Sequence, residues 1–177
     1  MKLILVRHGE RTYGREDDEL TDNGKEQIRY LALRLKEENI RTIYTNNLTR
    51  SKQTANILAE ALGANIIYDS NLNELAKYLF FNDSLEIEND IKELNTKILN
   101  FVDELKMRNN DVILATNAGI NRAIIGALLN IPLKNTMVFN QNYAAVTELK
   151  YITKDDKSFW RLNLLNCKKH LPQDIMS

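Results

Sequence analysis

The sequence predicts a three-layer αβα sandwich around a mostly parallel central sheet. Three observations predict it. Apolar runs of strand length alternate with helix-length amphipathic segments along the whole chain. The first run, Leu3-Ile4-Leu5-Val6, is continuously apolar, as in a strand covered on both faces. Three strand ends break off onto turn residues that carry chemistry: residues 7–9, the turn before Arg50, and residues 117–119. In an open α/β sheet, ligands bind just past the carboxyl ends of the strands, so these three turns are expected to meet at one crevice.

The first strand covers residues 2–7, and a polar loop follows over about 8–20. That loop holds an acidic run, Glu16-Asp17-Asp18-Glu19, read as a solvated edge because no other metal ligands accompany it. A helix runs from Asp22 to about Glu38, with Ile28, Leu31, Ala32 and Leu35 on one face. A short strand near Thr42–Thr45 leads to a second helix, capped by Thr49 or Asn47 and stopped at Gly63. A third strand takes Asn65–Tyr68, and residues 69–84 read as a loop containing Glu74 and the aromatic residues Tyr78, Phe80 and Phe81. A long helix spans roughly 85–107, with Ile91, Leu94, Ile98, Val102 and Leu105 as its buried stripe. The strand at 111–116 feeds a helix from about Ala118 to Leu129, stopped by Pro132. Two last strands, about 143–151 and 158–165, form a hairpin across Lys154-Asp155-Asp156-Lys157. The whole of 1–177 is expected to be a single domain, with a short cap region around 75–108.

Composition narrows the function classes. Lys plus Arg total 24 and Asp plus Glu total 24, so no global field favours nucleic acid or an acidic membrane. One Cys and two distant His residues make no metal-ligand cluster, and no metal or other cofactor is expected. Cys167 alone forms no intrachain disulfide and fits a reducing cytoplasm. The N-terminal apolar run is too short for a signal segment or a membrane span. Nothing in the chain fixes its oligomeric state.

The chemistry sits at the turns. Arg7-His8-Gly9 places an imidazole, a fixed guanidinium and a residue permitting close backbone approach directly after a strand. An imidazole can attack phosphorus, and a guanidinium holds phosphoryl oxygens in a planar fork. Arg50 falls in the first turn of its helix, where the dipole disfavours a cation unless an anion binds beside it. The amides of Ala118 and Gly119, opening a later helix, are further anion donors.

Together these segments resemble the histidine phosphatase superfamily, the phosphoglycerate-mutase-like enzymes. Arg7-His8-Gly9-Glu10 resembles that family's opening signature. Leu20-Thr21-Asp22-Asn23-Gly24-Lys25-Glu26-Gln27 is similar to its first helix start, and Leu48 through Ala55 to its second arginine motif. Leu72-Asn73-Glu74 resembles the segment bearing the family's acid, and Leu162–Asn166 with His170-Leu171 its last strand and tail. The resemblance runs from Lys2 to about Leu171 and implies a phosphoglycerate-mutase-like fold.

By that resemblance His8 is the nucleophile, Arg7 and Arg50 bind the phosphoryl group, and Glu74 protonates the leaving alcohol. Arg11 and Arg15 are candidates to reach substrate. The chain departs from the family at one position. A second histidine normally follows the late strand, with an arginine five residues on; here Arg122 holds its offset but Asn117 occupies the histidine position. The expectation is a phosphomonoester hydrolase working through a phosphohistidine on His8, impaired by Asn117. The alternatives are a non-catalytic phosphate-binding pseudophosphatase and a protein phosphohistidine phosphatase. Only about 40 residues separate Glu74 from Asn117, and the loop after His8 is short, so the site lacks the insertions that enclose a mutase's substrate. The expected partner is a phosphorylated small molecule or a phosphoprotein.

Overall fold

The computed structural model describes residues 1–13, 18–69, 71–74 and 85–176, with the side chains of 73–74 and 85–90 left aside. Strand β1 (Lys2–Arg7) lies inside a six-stranded sheet with α1 (Asp22–Leu35), β2 (Thr42–Thr45), α2 (Thr49–Leu62) and β3 (Asn65–Tyr68) following. Then come the one-turn α3 (Asn71–Glu74), α4 (Leu85–Arg108), β4 (Val112–Thr116), α5 (Ala118–Leu129), a 3-10 turn (Leu133–Val138), β5 (Val146–Lys154) and β6 (Lys157–Cys167). The sheet order is β3-β2-β4-β1-β5-β6. Its first four strands run parallel; β5 pairs antiparallel with β1, and β6 antiparallel with β5.

Period-2 alternation in β1 divides the core into two layers. Leu3 and Leu5 join Tyr44, Val112, Leu114 and Leu149 on one face, against α4 and α5. Ile4 and Val6 join Ile43, Ile113, Ala115 and Val146 on the other, against α1 and α2. Both faces of β1 are therefore dry, which is why its sequence is continuously apolar. The predicted α1 stripe is the buried one, and Leu94, Ile98, Val102 and Leu105 of α4 are buried with Phe101.

Several local expectations need correction. Helix α1 stops at Leu35, and the one-turn α3 lies inside the segment read as a loop. The cap position of α2 is Leu48, without a side-chain cap bond, so neither Thr49 nor Asn47 plays that part; Asn46 Oδ1 instead accepts from the Leu48 amide at 3.2 Å. Helix α5 spans Ala118–Leu129 as expected, but the residue that closes it is Asn130, in the left-handed region at φ 56°, and not Pro132. Within the acidic run Asp18 is not solvated: it is 1% exposed and ion-paired with Arg11. Glu16, Asp17 and Arg15 lie outside the described residues, as do Tyr78, Phe80 and Phe81.

Candidate active site

The three turns read from the sequence converge at one end of the sheet, the carboxyl end of its parallel strands. β1 and β4 pair Arg7 with Thr116, and the His8 amide donates to the Thr116 carbonyl at 2.9 Å. β2 pairs Thr45 with Ala115, so the chain entering α2 emerges beside them. β3 delivers the backbone of α3, with Glu74 at its end, to the same edge; the Glu74 side chain lies outside the described residues.

Two glycines make the first turn possible. A Cβ on Gly9 would collide with the Gly24 carbonyl, and a Cβ on Gly24 would collide with the Glu10 carbonyl. The loop after β1 thus lies directly on the first turn of α1. Glu10 holds it there: its carboxylate accepts from Thr21 Oγ1 at 2.7 Å and Asn23 Nδ2 at 3.1 Å. Thr21 also caps α1, accepting from the Gly24 amide at 2.9 Å. Thr54 of α2 links the two motifs, with its Oγ1 accepting from the Gly9 amide at 3.4 Å and donating to the Arg50 carbonyl at 2.9 Å.

His8 is 3% exposed. Its Nδ1 lies 2.8 Å from the Gly9 carbonyl. A carbonyl only accepts, so Nδ1 carries the proton and Nε2 keeps its lone pair. Burial pushes the imidazole pKa down to about 3, opposed by the Gly9 bond and reinforced by the charges of Arg7, Arg50 and Arg11. The ring is therefore neutral at physiological pH. Three guanidiniums bear on it, an electropositive setting suited to an anionic electrophile.

Arg7 is ordered by contacts that the sequence did not disclose. Its Nη1 donates to the Gln141 carbonyl at 2.5 Å, and its Cζ sits 3.8 Å from the ring centroid of Tyr143. Its Nε is buried and finds no acceptor among the described residues. The Tyr143 ring also stands 5.6 Å from the imidazole, and its hydroxyl is 2.6 Å from that of Tyr13. A buried amide network backs this arrangement. Thr116 Oγ1 donates to Asn121 Oδ1 at 2.8 Å, and Asn121 Nδ2 donates to Gln141 Oε1 at 3.3 Å. Gln141 and Tyr143 precede β5, whose start lies beside the end of β1 because the two are antiparallel. The polar stretch Asn140-Gln141-Asn142-Tyr143 was the available signal, but it points to a site only once that pairing is known.

Asn117 is the cap of α5. Its Oδ1 accepts from the Ile120 amide at 3.1 Å, while Ala118 and Gly119 supply the helix's first two amides, which have no acceptor one turn back. Arg122 Nε donates to the Phe139 carbonyl at 2.8 Å, and its charge bears on Arg7. Arg11 is engaged by Asp18 and lies over the Tyr13 ring at 5.0 Å. His170 stands beside the backbone of Ala144, one residue from Tyr143. Arg34 Nη1 stands 3.2 Å from its Nδ1 and 3.3 Å from Cys167 Sγ, and burial lowers its pKa to about 4. Among the described residues no three His, Cys, Asp or Glu side chains group as metal ligands, and no helix is long and apolar enough to cross a membrane.

Comparison with known proteins finds relatives in sequence and in fold. A stretch of 82 residues, 42% of the chain, is 42% identical to the probable phosphoglycerate mutase GpmB of Escherichia coli (strain K12 / DH10B). The Serratia proteamaculans (strain 568) counterpart is 40% identical over the same length. Each match takes in 38% of the relative's own length. Solved structures share the fold along nearly the whole chain. Phosphoserine phosphatase from Entamoeba histolytica, in complex with 3-phosphoglyceric acid, gives a TM-score of 0.73 at 22% identity over 97% of this chain and 99% of that one. Mycobacterial glucosyl-3-phosphoglycerate phosphatase gives 0.72 at 22% identity over 93% and 98%. The family model of the histidine phosphatase superfamily (branch 1) matches residues 3–78 and 79–168, and the chain belongs to that superfamily.

Proposed function

We propose that the protein is a phosphomonoester hydrolase that works through a phosphohistidine on His8. One observation carries this reading. A buried, neutral imidazole has its Nδ1–H tied to the Gly9 carbonyl, which leaves the Nε2 lone pair unprotonated on a ring that the charges of Arg7, Arg50 and Arg11 bear upon. In the first step Nε2 attacks phosphorus and the bond to the leaving oxygen breaks. The proton for that oxygen comes from Glu74, which follows β3 at the same sheet edge. In the second step Glu74, now a carboxylate, takes a proton from water. The water oxygen bonds to phosphorus, the P–N bond breaks, and neutral His8 returns with inorganic phosphate. Arg7 and Arg50 hold the phosphoryl oxygens, and the amides of Ala118 and Gly119 add neutral donors. Asn117 stands where the family's second histidine would be and offers an amide without net charge, so turnover by this sequence is slow.

The substrate is a small phosphomonoester, the class named for the phosphoserine and glucosyl-3-phosphoglycerate phosphatases that share the fold. The reaction draws its positive charge from arginines and runs without a metal. The single thiol of Cys167 supports a cytoplasmic setting. Residues 1–177 act as one domain, in which α4 is a layer packed against the sheet and 75–84 of the expected cap lie outside the described residues. The competing reading, a pseudophosphatase that only binds phosphate, draws on the capping role of Asn117 Oδ1.

Hydrolysis of p-nitrophenyl phosphate in the presence of EDTA separates the two readings. The hydrolase reading expects slow release of p-nitrophenol and an acid-labile, alkali-stable adduct that maps to His8. Loss of both in His8→Ala supports it. Retained turnover in that variant overturns it, and phosphate binding without any turnover favours the pseudophosphatase.

A further inference from the structure

Resting on the phosphatase reading, we infer that Tyr143 is a positioning residue of the reaction, its ring face fixing the plane in which the Arg7 guanidinium meets the phosphoryl group. An arginine side chain has several rotatable bonds, and a single hydrogen bond does not set its plane. Arg7 has two constraints. Nη1 donates to the Gln141 carbonyl at 2.5 Å, and the Tyr143 ring covers one face at 3.8 Å from Cζ to centroid. An aromatic face attracts the cation without engaging an N–H. The in-plane donors are therefore not drawn off on that side, and among the described residues the buried Nε has no acceptor.

Tyr143 is itself tied to the residues it serves. The next amide, that of Ala144, donates to the carbonyls of both Arg7, at 3.1 Å, and His8, at 3.2 Å. Ala144 reaches both from the left-handed region, φ 52°, a strained conformation for a residue with a Cβ. The phenol end is held by the Tyr13 hydroxyl at 2.6 Å. With backbone and hydroxyl both anchored, the ring is a fixed plate against Arg7, with the imidazole centroid 5.6 Å from its own.

The test separates the electrostatic face from mere bulk. Tyr143→Phe keeps the plate, Tyr143→Leu keeps apolar bulk without a π face, and pentafluorophenylalanine at 143 keeps the shape but reverses the quadrupole. Inorganic phosphate affinity is measured by calorimetry for each, alongside melting temperature and p-nitrophenyl phosphate kinetics. Phe is expected within about twofold of the parent. Leu and the pentafluoro ring are expected to weaken phosphate binding by about tenfold, the range of a desolvated cation–π contact, with kcat/KM falling in step. A pentafluoro variant equal to Phe overturns the inference, and this comparison stands even if Leu does not fold. A parent chain that binds no inorganic phosphate overturns the phosphatase reading and this inference with it. A parent that binds phosphate, with every variant alike, overturns this inference alone.

Discussion

Replacing Asn117 by histidine sets two energies of opposite sign on one position. The side chain follows Thr116, whose carbonyl receives the His8 amide, so it lies one residue from the proposed nucleophile's strand end. Its Oδ1 caps α5 through Ile120. An imidazolium there would face the charge developing on the transferring phosphoryl group, where one such donor is worth about 10²–10³ in rate, or roughly 3–4 kcal/mol. Against this, losing the asparagine cap costs about 1 kcal/mol of stability, which in a chain of this size lowers Tm by about 2–4 °C. Asn117→His is therefore expected to raise kcat by two to three orders of magnitude while melting slightly earlier. In the free protein Arg7, Arg50 and the α5 dipole all disfavour a cation at 117. The gain in kcat thus depends on the bound phosphoryl dianion and grows as pH falls toward 6. The assay is p-nitrophenyl phosphate turnover from pH 5.5 to 8, paired with thermal melts without phosphate. Asn117→Ser, which keeps a cap oxygen, should hold Tm and gain nothing in rate. An unchanged kcat in Asn117→His, with phosphate still bound, would refute the placement of this side chain against the phosphoryl group.

Three further outcomes are expected. Inorganic phosphate at a hundredfold excess over its Kd should stabilise the fold by about 2.7 kcal/mol, and Arg50→Ala should abolish the shift in thermal melts; a response to chloride of the same size would argue against the site. The folded pKa of His8, about 3, lies below the unfolded value near 6.5, so the unfolded chain binds more protons between those limits and stability falls as pH drops through that window. Between pH 8 and 4.5 this amounts to about 2.7 kcal/mol from His8, with His170 adding in the same sense; denaturant titrations of His8→Gln should show a flatter pH dependence than the parent. Gly24→Ala drives a methyl into the Glu10 carbonyl, and a loss of about 3 kcal/mol or more is expected, since neither backbone can yield freely.

Much of the fold was legible because it rests on local signals. The strand bounds Asn65–Tyr68 and Thr42–Thr45, the stop at Gly63 and the hairpin over 154–157 follow from apolar period and turn residues. What escaped depends on tertiary context. Leu48 occupies a cap position because Asn46 Oδ1 reaches its amide, a bond set by how β2 ends rather than by cap propensity. Asp18 looked like one member of a solvated acidic run, but Arg11 draws it inward once the loop folds back through the Arg11–Leu20 bridge.

The site divides along the same line. Residues at the carboxyl ends of parallel strands were found because strand polarity alone predicts where they gather. Tyr143 and Gln141 lie just before a strand that runs the other way, a place that reasoning from the carboxyl ends of strands does not flag. The antiparallel pairing of β5 with β1 sets them against Arg7. Asn117 shows the complementary limit. Its position was readable from spacing, yet the sequence did not show that its oxygen also closes a helix. That second task gives asparagine a stability advantage over histidine at 117, independent of catalysis. A chain under weak demand for turnover would keep asparagine there on stability grounds alone. Rate and Tm measured on the same Asn117→His protein therefore weigh the two demands directly.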